Sequence, residues 1–323
     1  MATLVIGAGL VGSQIARILV EEGNRPVLME PSPQPEALRE IVDLDHVKLI
    51  DGDVLKPFSL MQAIRDNDID SVIHTAANPL LTLGAQRDPY SAIQLNIMGT
   101  VNVLEAARVL KLKRVVVSSS SVLNHYFAGG EGKGDLSKEE ALPRPTTFYA
   151  ATKQTVESLG LNYARWCGVD FAAVRYGAVA GPWSGRGGGG PSNVFRDAVT
   201  KAMAGEEATV PADAMQWVYS KDAGTGSVLA LKAKDLKSRV FNIAMAKVTT
   251  SAEFAAALKA VLPNARIRIA EPAGVGQSMM NMTHGSDPTL AREVLGFTPR
   301  YDIEGAVRDM VEWYRANDRR QKR

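Results

Sequence analysis

Cysteine is almost absent: one of 323 residues, at position 167. An internal disulfide is therefore excluded, one thiol is no metal site, and a reducing, cytoplasmic setting is expected. No sign of charge is in excess. The formal net charge is +2 and the pI near 8.5, too mild to argue for nucleic acid, and the terminal basic run RRQKR reads as a solvated tail. No stretch of about 18 apolar residues exists, so no membrane span is expected. The apolar opening, MATLVIGAGLVGSQIARILV, lacks a basic start and is interrupted by Gln14 and Arg17, which argues for a strand, turn and helix over a signal peptide. Internal repeats and long linkers are missing too.

What is present is ordinary for a soluble α/β protein: 46% apolar and 22% charged residues. Short β-rich runs alternate with helical patterns through the first half. TLVIG, RPVLME, HVKLIDGD, IDSVIHTAA, RVVVSSS and VDFAAVRYG read as six strands. Helices are expected over EALREIVDL, FSLMQAIRDN, roughly Tyr90 to Leu110, and TTFYAATKQTVESLGLNYARWC. Apolar runs without alternation suit strands covered on both faces, and repeated β-α units suit a doubly wound parallel sheet. After about residue 180 the pattern loosens. The expected division is a dinucleotide-binding unit over 1–180 and a smaller substrate lobe over 181–323, with some segments of the latter returning to the first unit.

VIGAGLVG places Gly7, Gly9 and Gly12 in G-x-G-x-x-G spacing between a strand and a helix. Glycines there let the backbone turn tightly and approach a pyrophosphate, which meets the unpaired N–H groups of the helix start. The second strand ends at Glu30, 18 residues beyond Gly12. A carboxylate there can bind both ribose hydroxyls of an adenosine and would repel a 2′-phosphate, so NAD is favoured over NADP, although Arg39 could fold back. Asp53 could accept from an adenine amino group or serve as a turn carboxylate. His74 reads as structural, and HTAAN puts small residues where a cofactor could lie flat.

Tyr149 and Lys153 stand four apart in YAATK, on one helical face. An unperturbed phenol titrates near ~10, and a neighbouring cation favours its phenolate. Four serines, 118–121, end the fifth strand. With GAGLVG, DGDV, HTAA, NIMGTVNVLEAA, RYGAVAGP and the closing SDPTLAREVLGFTPRYDIEGAVRDMVEWY, the chain resembles the extended short-chain dehydrogenase/reductase family over nearly its whole length. The resemblance implies a Rossmann-type fold, NAD, no catalytic metal, and Tyr149 as general acid/base. Lys153 would hold the nicotinamide ribose and lower the Tyr149 pKa. Ser120 would steady the substrate oxygen, with Ser119 as runner-up. It further implies cofactor contacts at Leu10, Val11, Val54, Ala76, Ala77, Asn96, Ser118, Tyr176, Ala178 and Val179. Asn78, Ser119, Asn124, His125, Trp183 and Trp217 are the expected substrate side chains. A homodimer through the helices around 90–110 and 149–167 is implied as well.

Departures from the family pattern narrow the activity. The residues after the strand-end serine are Ser121 and Val122, where the dehydratases carry an acidic pair. The Asn of R-Y-F-N-V-Y-G-P is Ala178 here, and Met215 stands where nucleotide-sugar enzymes usually carry Arg. Support for a pyrophosphate substrate is thereby weakened, though Arg186 and Arg196 could substitute. AGPWSGRGGGGPS looks like a mobile lid with Trp183 near its base, and Met215, Trp217 and QSMMNMTH suggest an apolar wall. The expectation is an NAD-dependent dehydrogenase of a small, non-nucleotide secondary alcohol. A nucleotide-sugar epimerase with tightly held NAD is the enzyme alternative. A non-catalytic dinucleotide sensor is the alternative of another class.

Overall fold

The computed structural model describes residues 2–77, 87–124, 145, 147–236, 238–271 and 285–321. Its strands are β1 (Thr3–Ile6), β2 (Val27–Glu30), β3 (Lys48–Asp51), β4 (Ser71–His74), β5 (Arg114–Ser120), β6 (Phe171–Tyr176), β7 (Ala178–Ala180), β8 (Glu207–Val210), β9 (Trp217–Tyr219), β10 (Val240–Ile243) and β11 (Arg266–Ile269). Seven of them form one sheet in the order β10-β6-β5-β4-β1-β2-β3, every neighbour parallel. The chain runs outward from β1 to β3, then returns to β4 on the other side of β1. That reversal leaves a crevice beyond the strand ends of β1 and β4, where doubly wound sheets bind ligands.

Both faces of the sheet are covered, which is why its strands read as continuous apolar runs. Val5 and Ile73 pack with α1 (Leu10–Glu21), and their strand neighbours Leu4 and Val72 go to the opposite core. There they meet Leu60 and Ile64 of the helix Pro57–Asp66, and Val103 and Leu104 of the helix Gly99–Leu110. The helix Ser220–Lys232 adds Ala223, Val228 and Leu231 beside α1. Thus residues after 180 supply both a sheet strand, β10, and a covering helix. A further core gathers Phe195, Trp217 and Phe254 with Val307 and Met310 of the helix Ile303–Gln321. The short pairs β7–β9 and β8–β11 stand outside the main sheet.

Two local expectations change. EALREIVDL is helical only over Pro35–Arg39, followed by a 3-10 turn at Leu44–His46. Val42 is buried between them, and the Asp43 carboxylate accepts from the Asp45 N–H to open the second turn, so capping competes with helix continuation. The long helix near 90–110 starts at Pro89 and contains a π-helical turn, Gln94–Met98. Such turns recur at functional sites. Here it carries the buried Asn96.

Candidate functional site

β1 runs directly into the glycine turn. Gly7 adopts φ +98°, a left-handed conformation that glycine takes without a Cβ penalty. A Cβ on it would also meet Ala76 N at 2.8 Å. Gly12, inside the first turn of α1, comes closer still: its Cβ would lie 1.8 Å from the Gly7 carbonyl oxygen. Gly9 caps α1, and a Cβ there would meet nothing within 4 Å. Leu10 is buried and Val11 half-buried. Thr75 and Ala76 donate backbone N–H groups to the Ile6 carbonyl, at 2.8 and 3.0 Å, and so lock the ends of β4 and β1 together. The turn, the small residues Ala76 and Ala77 and the N-terminus of α1 therefore share the crevice end of the sheet. This is the donor set a pyrophosphate needs.

Glu30 ends β2 beside this turn. Its Oε2 accepts the Ala8 N–H at 3.1 Å, and the Ser32 N–H also donates to it. Burial raises its pKa, and the two backbone donors oppose the rise. Asp53 follows β3, and its Oδ1 accepts the Leu55 N–H at 2.9 Å, which is turn chemistry. Val54 is buried against the helix Gly99–Leu110, and its carbonyl accepts from Asn102 Nδ2 at 2.9 Å.

Thr147 starts the next functional element. Its hydroxyl accepts the Ala150 N–H at 3.2 Å and caps the helix Phe148–Cys167, which stops at the left-handed Gly168. Tyr149 thus lies in the first turn, where the helix dipole favours negative charge. Gly160 lets the same helix press onto β6, since a Cβ there would sit 2.2 Å from the Phe171 ring. Tyr149 is 6% exposed and lies beside the Ser120 side chain, whose influence favours its phenolate. Lys153 is buried and donates from Nζ to the Ser118 carbonyl at 2.8 Å and to Ser118 Oγ at 3.4 Å. Three of the expected groups, Ser120, Tyr149 and Lys153, are therefore together, on β5 and one adjoining helix.

The electrostatics differ from expectation. Burial pushes the Tyr149 phenol up to about 12, with the Ser120 side chain pulling the other way. Burial lowers Lys153 to about 8, and the Glu157 carboxylate raises it. Lys153 Nζ lies 5.7 Å from the Tyr149 ring centroid and spends its short hydrogen bond on a carbonyl. Among the protein's own groups, desolvation outweighs the ammonium, so the lowered phenol pKa expected from the sequence is absent. His74 is 1% exposed, neither ring nitrogen has a partner among the described residues, and burial with the Lys153 charge lowers its pKa to about 3. It is a neutral imidazole inside the protein.

Other expected residues take different places. Ser119 Oγ donates to Glu157 Oε1 at 2.5 Å and is committed there. Asn96 Nδ2 donates to Thr152 Oγ1 at 3.0 Å, bracing two helices beneath the site. The Tyr176 hydroxyl pairs with Ser227 Oγ. Ala178 is buried, Val179 is half-buried, and the Ala178 N–H donates to the Gln216 carbonyl. Trp217 is not on a wall: it is 2% exposed, with its ring 5.3 Å from Phe195 and 5.7 Å from Phe254. Met215, equally buried, exchanges two backbone hydrogen bonds with Thr249. Trp183 is 3% exposed and donates from Nε1 to the Arg186 carbonyl. Gln34 holds the same segment through the Arg186 N–H and carbonyl, a tether absent from the sequence reading. Arg186 is exposed and Arg196 half-buried, the latter 3.6 Å from Asp197. Asn78, His125 and QSMMNMTH lie outside the described residues, as does the Asn124 side chain. Among the described residues no cluster of His, Cys, Asp or Glu could hold a metal, and no helix is long and apolar enough to cross a membrane.

The sequence profile of the NAD dependent epimerase/dehydratase family matches residues 3–244, from the start of β1 to just past β10. The chain belongs to that family. Family membership makes NAD the cofactor, and the glycine turn, Glu30 and Lys153 offer the groups it requires. A UDP-glucose 4-epimerase of Lactobacillus helveticus is 27% identical, the match covering 98% of each chain. The crystal structure of UDP-glucose 4-epimerase from Thermotoga maritima with UDP-glucose superposes with a TM-score of 0.82 at 22% identity, over 98% of this chain and 99% of that one. A partial consensus L-threonine 3-dehydrogenase gives 0.82 at 26% identity, over 98% and 100%. The family thus spans two reaction types on one fold, and the fold does not choose between them.

Proposed function

We propose that this protein is an NAD-dependent oxidoreductase that interconverts a secondary alcohol and its ketone on a small substrate without a nucleotide. The observation that carries the reading is the burial of Tyr149 beside Ser120, with Lys153 on the same helix face anchored on the Ser118 carbonyl. When bound, NAD supplies the hydride acceptor and a positive ring that favours the Tyr149 phenolate. Tyr149 Oη takes the proton of the substrate hydroxyl, and in the reverse direction returns it to the substrate oxygen. Ser120 Oγ donates to that oxygen as charge develops on it. The residues that would hold NAD are Lys153 at the nicotinamide ribose, the glycine turn at the pyrophosphate and Glu30 at the adenosine ribose. Burial of Tyr149 excludes water from the proton transfer.

Two features support a small substrate. Ala178 stands at the family's Asn position, and Met215 is closed into the aromatic core, so neither can hold a diphosphate. The similarity to an L-threonine 3-dehydrogenase adds a hydroxy amino acid to the substrates worth testing. The second reading, nucleotide-sugar epimerisation with retained NAD, is favoured by the epimerases among the relatives. The deciding experiment gives the purified protein NAD with sugars, sugar acids, hydroxy acids, threonine and aryl carbinols, reading NADH at 340 nm. Nucleotide sugars are assayed for epimer by chromatography. Net NADH from a non-nucleotide alcohol is expected; epimer without net NADH would replace this reading with the second.

Cofactor choice rests on Glu30. Glu30→Ala removes the carboxylate that repels a 2′-phosphate, and the ratio of NAD to NADP affinity is expected to fall about tenfold, the equivalent of roughly 1.4 kcal/mol. Unchanged discrimination in parallel fluorescence titrations would assign the ribose to another group.

We further propose that a second copy of the chain covers the helices Gly99–Leu110 and Phe148–Cys167 and the turn before them. They expose Tyr90 and Trp166, each to 72%, together with Met98, Val109, Phe148 and Leu161, an apolar concentration that favours self-association. Sedimentation equilibrium should give twice the 34.7 kDa chain mass. A single-chain mass at every concentration would remove the proposal.

A further inference from the structure

Beneath the Tyr149–Lys153 pair lies a buried ion pair that the proposed chemistry does not use. Tyr149, Lys153 and Glu157 follow each other at steps of four along one helix face. Glu157 and Arg175 have side chains 8% and 4% exposed. Arg175 donates from Nε to Glu157 Oε1 at 2.9 Å and from Nη2 to Oε2 at 2.8 Å, a bidentate clasp. The Ser119 hydroxyl donates to the same Oε1. Ser119 and Arg175 are not neighbours in sequence; they face each other across β5 and β6, one step before the Ser120–Tyr176 pair. One carboxylate therefore joins the three elements that carry the site: the strand ends of β5 and β6 and the helix of Tyr149 and Lys153.

We propose that Glu157 is a positioning residue of the active site, fixing the strand end that presents Ser118 and Ser120 and keeping Lys153 in its cationic form. The inference rests on the proposed alcohol–carbonyl chemistry, in which Lys153 must donate to the ribose. Its position is demanding. Lys153 is buried, and burial favours the neutral amine. Among the described residues, the polar and charged groups around it are Tyr149 and Glu157 on its own helix, His74 at the end of β4, and Ser118 on β5. His74 is neutral and Ser118 is a dipole, so of these groups Glu157 alone brings a formal negative charge. Arg175 compensates the carboxylate and keeps Glu157 ionised and oriented.

The test is Glu157→Gln, which keeps the shape and removes the charge. Two quantities are read: the alkaline midpoint of NADH binding by fluorescence titration, and the alkaline limb of the pH–rate profile. Both are expected to move about one pH unit lower, with NADH affinity near pH 6 within about threefold of the parent. Glu157→Asp, which restores the charge, should return the midpoint most of the way. A purely structural role would lower the melting temperature and the rate at all pH values and leave the midpoint in place, and that result would overturn the proposal. Where Glu157→Gln alone does not fold, the double variant with Arg175→Gln removes the orphaned guanidinium. Loss of the Arg175 cation offsets part of the effect, so the midpoint should fall there by less than in a folded Glu157→Gln protein, and a fixed midpoint would equally overturn the proposal. The NADH-binding midpoint needs no turnover, so it stands or falls apart from the reaction assigned to Tyr149.

Discussion

Tyr149→Phe is expected to lower kcat by about 10³-fold, within the range for loss of a positioned general acid/base, while NAD affinity stays within about threefold. The substitution removes one oxygen from a side chain that is already buried and packed with Ala92 and Val122, so the ring keeps its place and the fold its stability. What disappears is the hydroxyl beside Ser120 that is assigned to carry the proton at the substrate oxygen. Ser120 and Lys153 remain, and with them polarisation of the carbonyl and the ribose contact, which is why a residual rate above the uncatalysed one is expected. Steady-state kinetics with the substrate from the 340 nm screen, and a separate NADH titration, give the two numbers. A variant that keeps more than about a tenth of the parent rate would end the assignment of Tyr149 as the acid/base.

Gly12→Ala should be damaging for a different reason. Its Cβ would lie 1.8 Å from the Gly7 oxygen and 2.9 Å from the Gly7 carbonyl carbon, and these are backbone atoms of the turn itself. Relief requires α1 to shift away from the strand end, at a cost of about 1–3 kcal/mol in stability as for other overpacked sites. The pyrophosphate donors shift with it, and NAD affinity should fall at least tenfold, about 1.4 kcal/mol. Gly9→Ala is the informative contrast. Nothing lies within 4 Å of a Cβ there, so its melting temperature should match the parent. The new methyl points into open space at the helix cap, where the cofactor backbone is expected to pass, and NAD affinity should still drop. Thermal melts beside NADH titrations separate the cases: G12A lowers both, G9A lowers binding alone. Parent-like binding in G9A would mean the dinucleotide does not cross this turn.

The elements readable from sequence were those whose cause is local. The six β-rich runs became β1 to β6, because each has an apolar centre and is bounded by turn residues, although β3, at the sheet edge, is exposed at both its ends. Gly7, Gly9 and Gly12 were readable because glycine between a strand and a helix has a restricted set of uses. Tyr149 and Lys153 were readable because helical spacing alone puts them on one face. The failures are equally physical. EALREIVDL has helical composition, but a buried Val42 and the Asp43 cap break it. Trp217 and Met215 looked like pocket lining because burial in a core and burial in a pocket leave the same mark on composition; only Phe195 and Phe254, brought from residues far along the chain, show which it is.

Glu157 marks the boundary most clearly. Its spacing of four from Lys153 was present in the sequence, yet its meaning depends on Ser119 and Arg175, which meet only when β5 and β6 pair. Likewise the phenol next to an ammonium suggested a lowered pKa, and folding reversed the direction by burying both groups. By itself the sequence determined the family, the glycine turn after β1, the carboxylate that ends β2 and the Tyr–Lys pair, since each follows from residue type at short spacing. Tertiary structure alone decided which serine faces Tyr149, which tryptophan is core and what charge surrounds Lys153. Those properties depend on desolvation and on contacts between strands distant in the chain, and neither exists until the sheet has formed.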